Sequence, residues 1–197
     1  LTTIVITSME MKILAFIIIV IFIKFTTTRL IFDATAKAIL KICETQDLTA
    51  NLIFPVSEKN NLHFLGGINE IIEMASVDPK CPFRVEFLNN VSSQVSKSRR
   101  FYVIIVESSE EFFQILSITA KFLSFKKLYL ISLLNGTKAE AKNIFDTVWK
   151  FKMFNADIIY PSSDDNLISI ATFQPFHDES CEETKFLLID QFKDGKF

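Results

Sequence analysis

A chain of 197 residues, 49% hydrophobic and 22% charged, is long enough for one domain with its own core and too apolar to be disordered. A formal net charge of -2 excludes the clustered cationic face that nucleic-acid phosphates require, so no nucleic-acid partner is expected. Phe is abundant at 21 copies while Gly is scarce at 4; that scarcity counts against a glycine-rich phosphate cradle, and no cofactor is expected.

The first element is an address. "MKILAFIIIVIFIKFTTTRL" starts at Met11 with one Lys, is apolar from Ile13 to Ile23, and closes on Lys24 and small polar threonines. That is the pattern of a secretory signal peptide, assigned to residues 1–28, with the residues before Met11 read as untranslated frame. The run is shorter than the ~20 residues that cross a bilayer, which leaves an uncleaved anchor or a buried strand as the alternatives. Residues 29–197 are then an exported domain. In an oxidising compartment Cys43, Cys81 and Cys181 supply one disulfide and one spare thiol, with three pairings open. Asn90-Val91-Ser92 and Asn135-Gly136-Thr137 become N-glycosylation acceptors on exposed loops.

Behind the leader, "LIFDATAKAILKICETQD" places Leu30, Ala34, Ile39, Ile42 and Cys43 along one side and predicts the first helix. "NLIFPV" reads as a strand whose Pro55 sets it near an edge or its own end. "LGGINEIIEMA" predicts a helix that starts after a glycine pair, and "FRVEFL" alternates as a strand should. "NNVSSQVSKSRR" is a polar loop, and the doublets Arg99-Arg100 and Lys126-Lys127 are solvated strand starts.

The second half alternates strand and helix. "FYVIIVE" is a strand buried on both faces; Ser108 or Ser109 with Glu110-Glu111 caps the helix "EEFFQILSITAKFLSF". "KKLYLISLL" is the next buried strand, "NGTKAEAKNIFDTVWKFKMF" a turn and helix, and "ADIIY" a third strand. That order predicts parallel pairing with crossover helices. "LISIATF" follows "PSSDDN" too closely for a crossover and is expected as an antiparallel partner. The fold class is therefore α/β, a partly parallel sheet flanked by helices, in one unit.

Chemistry is sparse. The polar strand ends "VESSEE", "LLNGTK" and "YPSSDD" lie where open α/β sheets hold ligands, yet none has a glycine cradle or a spaced metal-ligand set, and they read as caps and turns. Asp164 and Asp165 are adjacent and point apart in an extended segment. His177 and Cys181 are the nearest nucleophile and base pair, His63 stands alone, and nothing depresses the thiol's pKa, so Cys181 reads as architecture and no enzyme is expected. No metal site is expected either.

The carboxy-terminal quarter carries more information through its order. A helix ends in Trp149, Asn155 opens an apolar strand, Thr172-Phe173 and Pro175-Phe176 follow, then Cys181, then Asp194-Gly195-Lys196-Phe197. This order resembles the insect ionotropic receptors, the divergent chemosensory branch of the ionotropic glutamate receptors. The resemblance implies an extracellular amino-terminal α/β region, similar to part of a periplasmic-binding-like bilobed domain and ending ahead of the ligand-binding domain. It implies a subunit of a ligand-gated cation channel at the cell membrane, co-receptor subunits as partners, and an odorant or tastant bound downstream. The membrane segments would also lie downstream. The rival expectation is a small secreted α/β ligand-binding protein, complete as written.

Overall fold

The computed structural model describes residues 8–46, 48–54, 62–76, 81–87, 100–119, 128–162, 167–174, 185–193 and 195–196. Among the described residues, seven strands form one sheet flanked by four helices: α1 (Ser8–Gln46), β1 (Thr49–Phe54), α2 (Leu62–Ser76), β2 (Phe83–Phe87), β3 (Arg100–Val106), α3 (Ser109–Thr119), β4 (Leu128–Leu133), α4 (Lys138–Lys150), β5 (Asn155–Pro161), β6 (Ile168–Gln174) and β7 (Lys185–Phe192). Their order across the sheet is β2-β1-β3-β4-β5-β6-β7. The first five are parallel to their neighbours, whereas β6 and β7 run antiparallel, as the short connection after β5 requires. The α/β fold class expected from the sequence, a partly parallel sheet flanked by helices, is the one observed.

Period-2 burial splits the core in two. One sheet face presents Leu52, Phe101, Val103, Ile105, Leu130 and Ile159 to α1 and α2. The other presents Ile53, Ile104, Val106, Ile131 and Ile158 to Phe112 and Ile115 of α3 and to Ile144, Phe145 and Val148 of α4. The central strand β3 is buried at every position from Phe101 to Val106, as an unbroken apolar run predicts.

Local chemistry sets the helix ends. Thr137 Oγ1 accepts from the Glu140 N–H while Glu140 Oε2 accepts from the Thr137 N–H at 2.8 Å, a reciprocal capping box that starts α4. Its far end is a Schellman motif: the Met153 N–H donates to Val148 O and the Lys152 N–H to Trp149 O. The position that favours glycine is held by Lys152, at φ 56°.

Two expectations change, and one strand adds to those expected. The first helix continues upstream to Ser8, through the leader, instead of starting near Leu30. α2 starts at Leu62, ahead of the glycine pair, and Gly67 inside it is a contact point, where a Cβ would collide with the buried Phe32 ring. β1 lies inside the sheet, between β2 and β3, and ends at Phe54. β7 had no strand signature, since its "KFLLIDQF" breaks alternation at a register shift opposite Ile170/Ala171.

Candidate functional site

Two of the polar strand ends expected as caps, at Ser108 and at Thr137, are engaged as caps, while residues 163–165 of the third lie outside the described residues. Ser108 Oγ accepts from the Glu111 N–H at 3.3 Å, and Glu111 Oε2 accepts from the Glu107 N–H at 2.7 Å. The exposed Glu110 carboxyl is held below its ordinary pKa, first by its own backbone N–H and then by the Ser108 hydroxyl. Asn135 is exposed in the turn between β4 and α4. Among the described residues no group of three or more His, Cys, Asp or Glu could hold a metal ion. Asn90, Asp164, Asp165, Pro175, Phe176, His177, Cys181 and Phe197 lie outside the described residues, and of His63 only the helical backbone is described.

Cys43 and Cys81 are bonded, at a Cα–Cα distance of 5.1 Å. The bond ties the last turns of α1 to the chain entering β2, where the Ala50 N–H also donates to Pro82 O at 3.0 Å. It therefore fixes α1 against the sheet.

The motif residues of the last quarter divide into two structural groups. Trp149, half-buried in the last turn of α4, lies 5.4 Å from the Phe154 ring and 6.4 Å from Phe173. Phe145 extends the cluster to Phe173 and Phe186 at 5.1 and 5.5 Å, in tilted and edge-on geometries that aromatic pairs favour. Asn155 is exposed and opens β5. Trp149 and Phe173 thus clamp α4 onto the antiparallel end of the sheet. Gly195 serves elsewhere. At φ 80° it turns the chain after β7, where Lys193 and Lys196 exchange backbone hydrogen bonds of 2.9 Å. Lys37 of α1 donates to Gly195 O at 2.9 Å and to Asp33 Oδ2 at 3.0 Å, and lies over the Phe192 ring. The turn is latched to α1.

Beside that latch, α1 and the sheet flank a partly open cavity of about 240 Å³. Ala38, Lys41, Ile42 and Thr45 line it from the helix, Leu130 and Asp157 from β4 and β5, and Ile170, Ile189 and Asp190 from β6 and β7. Leu130 and Asp157 are register partners near the amino ends of their strands, as are Ile170 and Asp190 across the antiparallel pair. The cavity therefore sits over a sheet face, away from the carboxyl ends where the sequence pointed.

Asp157 is its most unusual group. Burial pushes its carboxyl above the ordinary range, and the Thr172 hydroxyl offsets this only in part. That hydroxyl has one hydrogen to give and already donates to Ala156 O at 3.1 Å. Sequence reasoning passed over Asp157, Asp190 and Lys41. The available signal was a carboxylate inside the otherwise apolar strand "ADIIY", since unpaired charge in a buried strand is costly.

Residues 26–197 match the family model described as "Putative ionotropic receptor, ligand binding domain". No curated protein and no solved structure matches the chain. The matched description gives this segment to the ligand binding domain itself, where the sequence pattern had set it ahead of that domain. A match running from residue 26 to the last residue makes this chain a member of the ionotropic receptor family, within the receptor's ligand binding domain.

Proposed function

We propose that residues 29–197 are the extracellular ligand-binding region of a chemosensory ionotropic receptor, a subunit of a ligand-gated cation channel. The observation that carries the reading is the family match from residue 26 onward, which begins where the apolar leader ends. Within that leader, Phe16 through Ile21 are all exposed, Phe16 by 68%, a continuous apolar face that suits a signal peptide bound by export machinery. No helix among the described residues is long and apolar enough to cross a membrane.

The domain's work in this reading is conversion of binding energy into motion. A ligand that contacts the closed arrangement of a bilobed clamp better than the open one shifts the population toward closure, by no more than its differential affinity. Closure then pulls on pore helices encoded beyond Phe197. Co-receptor subunits complete the channel, and Asn90 and Asn135 carry N-linked glycans. The exposed Asn135 turn supports the second of these.

Sequencing the transcript beyond Phe197, then co-expressing the product with co-receptor subunits and recording odorant-evoked currents, tests the proposal. Apolar spans downstream and cation currents that need this subunit are expected. A stop codon within a few residues, in a chain secreted as a free protein, overturns the channel reading.

A further inference from the structure

We propose that the cavity between α1 and the β5–β7 end of the sheet binds a small primary ammonium ion with an apolar body, its charge set against the Asp157 carboxylate. This goes beyond membership of a receptor family, which names neither a site nor a ligand.

The walls argue for the body. Ala38, Ile42, Leu130, Ile170 and Ile189 make most of the lining, and apolar surface withdrawn from water there favours hydrocarbon. A volume of about 240 Å³ equals about eight liquid-water shares of ~30 Å³, room for a short alkyl chain or a single ring and little more.

The polar groups argue for the charge. Among the described lining residues two carboxylates, Asp157 and Asp190, stand with one ammonium, Lys41, so the walls offer a ligand more carboxylate than cation. Lys41 is exposed on the α1 side, whereas Asp157 is half-buried on the strand floor. Asp157 is a half-buried carboxylate on an apolar floor, and a ligand N–H donor would give it a charge-assisted hydrogen bond in place of water. An anion would meet like charge, and a neutral alcohol would forgo the charge assistance. Covalent and polar ties fix α1 on either side of the cavity: Cys43–Cys81 beside Ile42, and Lys37 on the Gly195 turn one helical turn earlier.

Titration calorimetry and thermal shift on the intact chain with n-butylammonium, 1-butanol and butyrate test the assignment. Butylammonium is expected to bind and raise the melting temperature in proportion to dose, with the alcohol and the acid at least tenfold weaker. Asp157→Asn, which keeps side-chain shape, should weaken butylammonium at least tenfold, and Asp190→Asn about threefold. Ile189 is 55% exposed at the rim, so Ile189→Lys keeps the fold and places a cation at the mouth; it too should weaken binding, and it serves if Asp157→Asn does not fold. Equal binding of butanol and butylammonium, undiminished binding to both Asp157→Asn and Ile189→Lys, or no binding of the amine overturns the site. Those outcomes leave the channel question untouched, because the transcript answers it separately.

Discussion

The two faces of the sheet are finished differently. On the α3/α4 face the closing layer is aromatic and continuous, from the stacked Tyr102 and Tyr129 rings, 5.6 Å apart, to the Phe145, Phe173 and Phe186 cluster. On the α1/α2 face the layer is equally apolar over β1 and β3 but becomes polar over β4 to β7. There the buried Thr35 and Ser132 hydroxyls meet at 2.7 Å, and Asp157 and Asp190 face the cavity. One face has been filled to hold the domain together, and the other has been left with space and charge. Buried polar groups occur on both faces, since Asn51 and Ser169 are buried on the α3/α4 side; what sets the α1 face apart is that its carboxylates, Asp157 and Asp190, line open space.

The contrast breaks if the filled face also shapes the cavity. Phe145 is fully buried there, and Phe145→Ala should cost about 4 kcal/mol in denaturant unfolding. Butylammonium affinity of the protein that remains folded should be unchanged. A parallel loss of affinity would show that the two faces act as one unit.

Cysteine replacement should act on the other face. Paired Cys43→Ser and Cys81→Ser close no 38-residue loop and should lose ~3 kcal/mol. Here affinity should fall as well, because α1 supplies four of the cavity's lining residues and loses its tether. Stability loss with affinity retained would mean that packing alone holds α1 in place.

How far the sequence reached follows the same division. Strands buried on both sides announce themselves: "FYVIIV" and "LYLISL" have apolar side chains on both faces, and the capping chemistry at Ser108 and Thr137 is local, so both were legible. β7 was not, because an edge strand with a bulge beside Ile189 loses its alternation, and its pairing partner is what makes it a strand. The glycine pair misled for a similar reason. In isolation Gly-Gly reads as a helix start, and only the position of the Phe32 ring explains a glycine inside α2. The cavity was least legible: Asp157, Asp190 and Lys41 lie far apart in the chain and meet only through strand register and helix placement, so nothing local joins them.

The glycine pair also measures how tightly the α1/α2 side is packed. A Cβ at Gly66 meets nothing within 4 Å, so Gly66→Ala should stabilise by about 0.5–1 kcal/mol through helix propensity alone. Gly67→Ala gains the same propensity but forces the Phe32 ring aside in a packed core, at a cost of about 1–3 kcal/mol, and should be destabilising on balance. Matched denaturation curves check both. Two stabilising alanines would mean that Phe32 has room to move and that this side is looser than its burial implies.

The smallest effect is the most specific. Burial raises the Asp157 pKa in the folded chain above its unfolded value, so between those two values the native state binds more protons than the unfolded one. Stability then falls as pH rises: the contribution is fully present below the ordinary value of 3.8 and is lost as pH passes through the raised one. Asp157→Asn should flatten that part of the stability profile and leave the chain no less stable at neutral pH. Lys41 and Asp190 line the same cavity, but the shift of Asp157 comes from burial, so Asp190→Asn should leave the slope that Asp157 produces unchanged. Saturating butylammonium should reduce it, because a cation beside the carboxylate draws its pKa back down. A slope that is identical in Asp157→Asn, or indifferent to the amine, would place the titrating group elsewhere and the two faces of the sheet would no longer differ in kind.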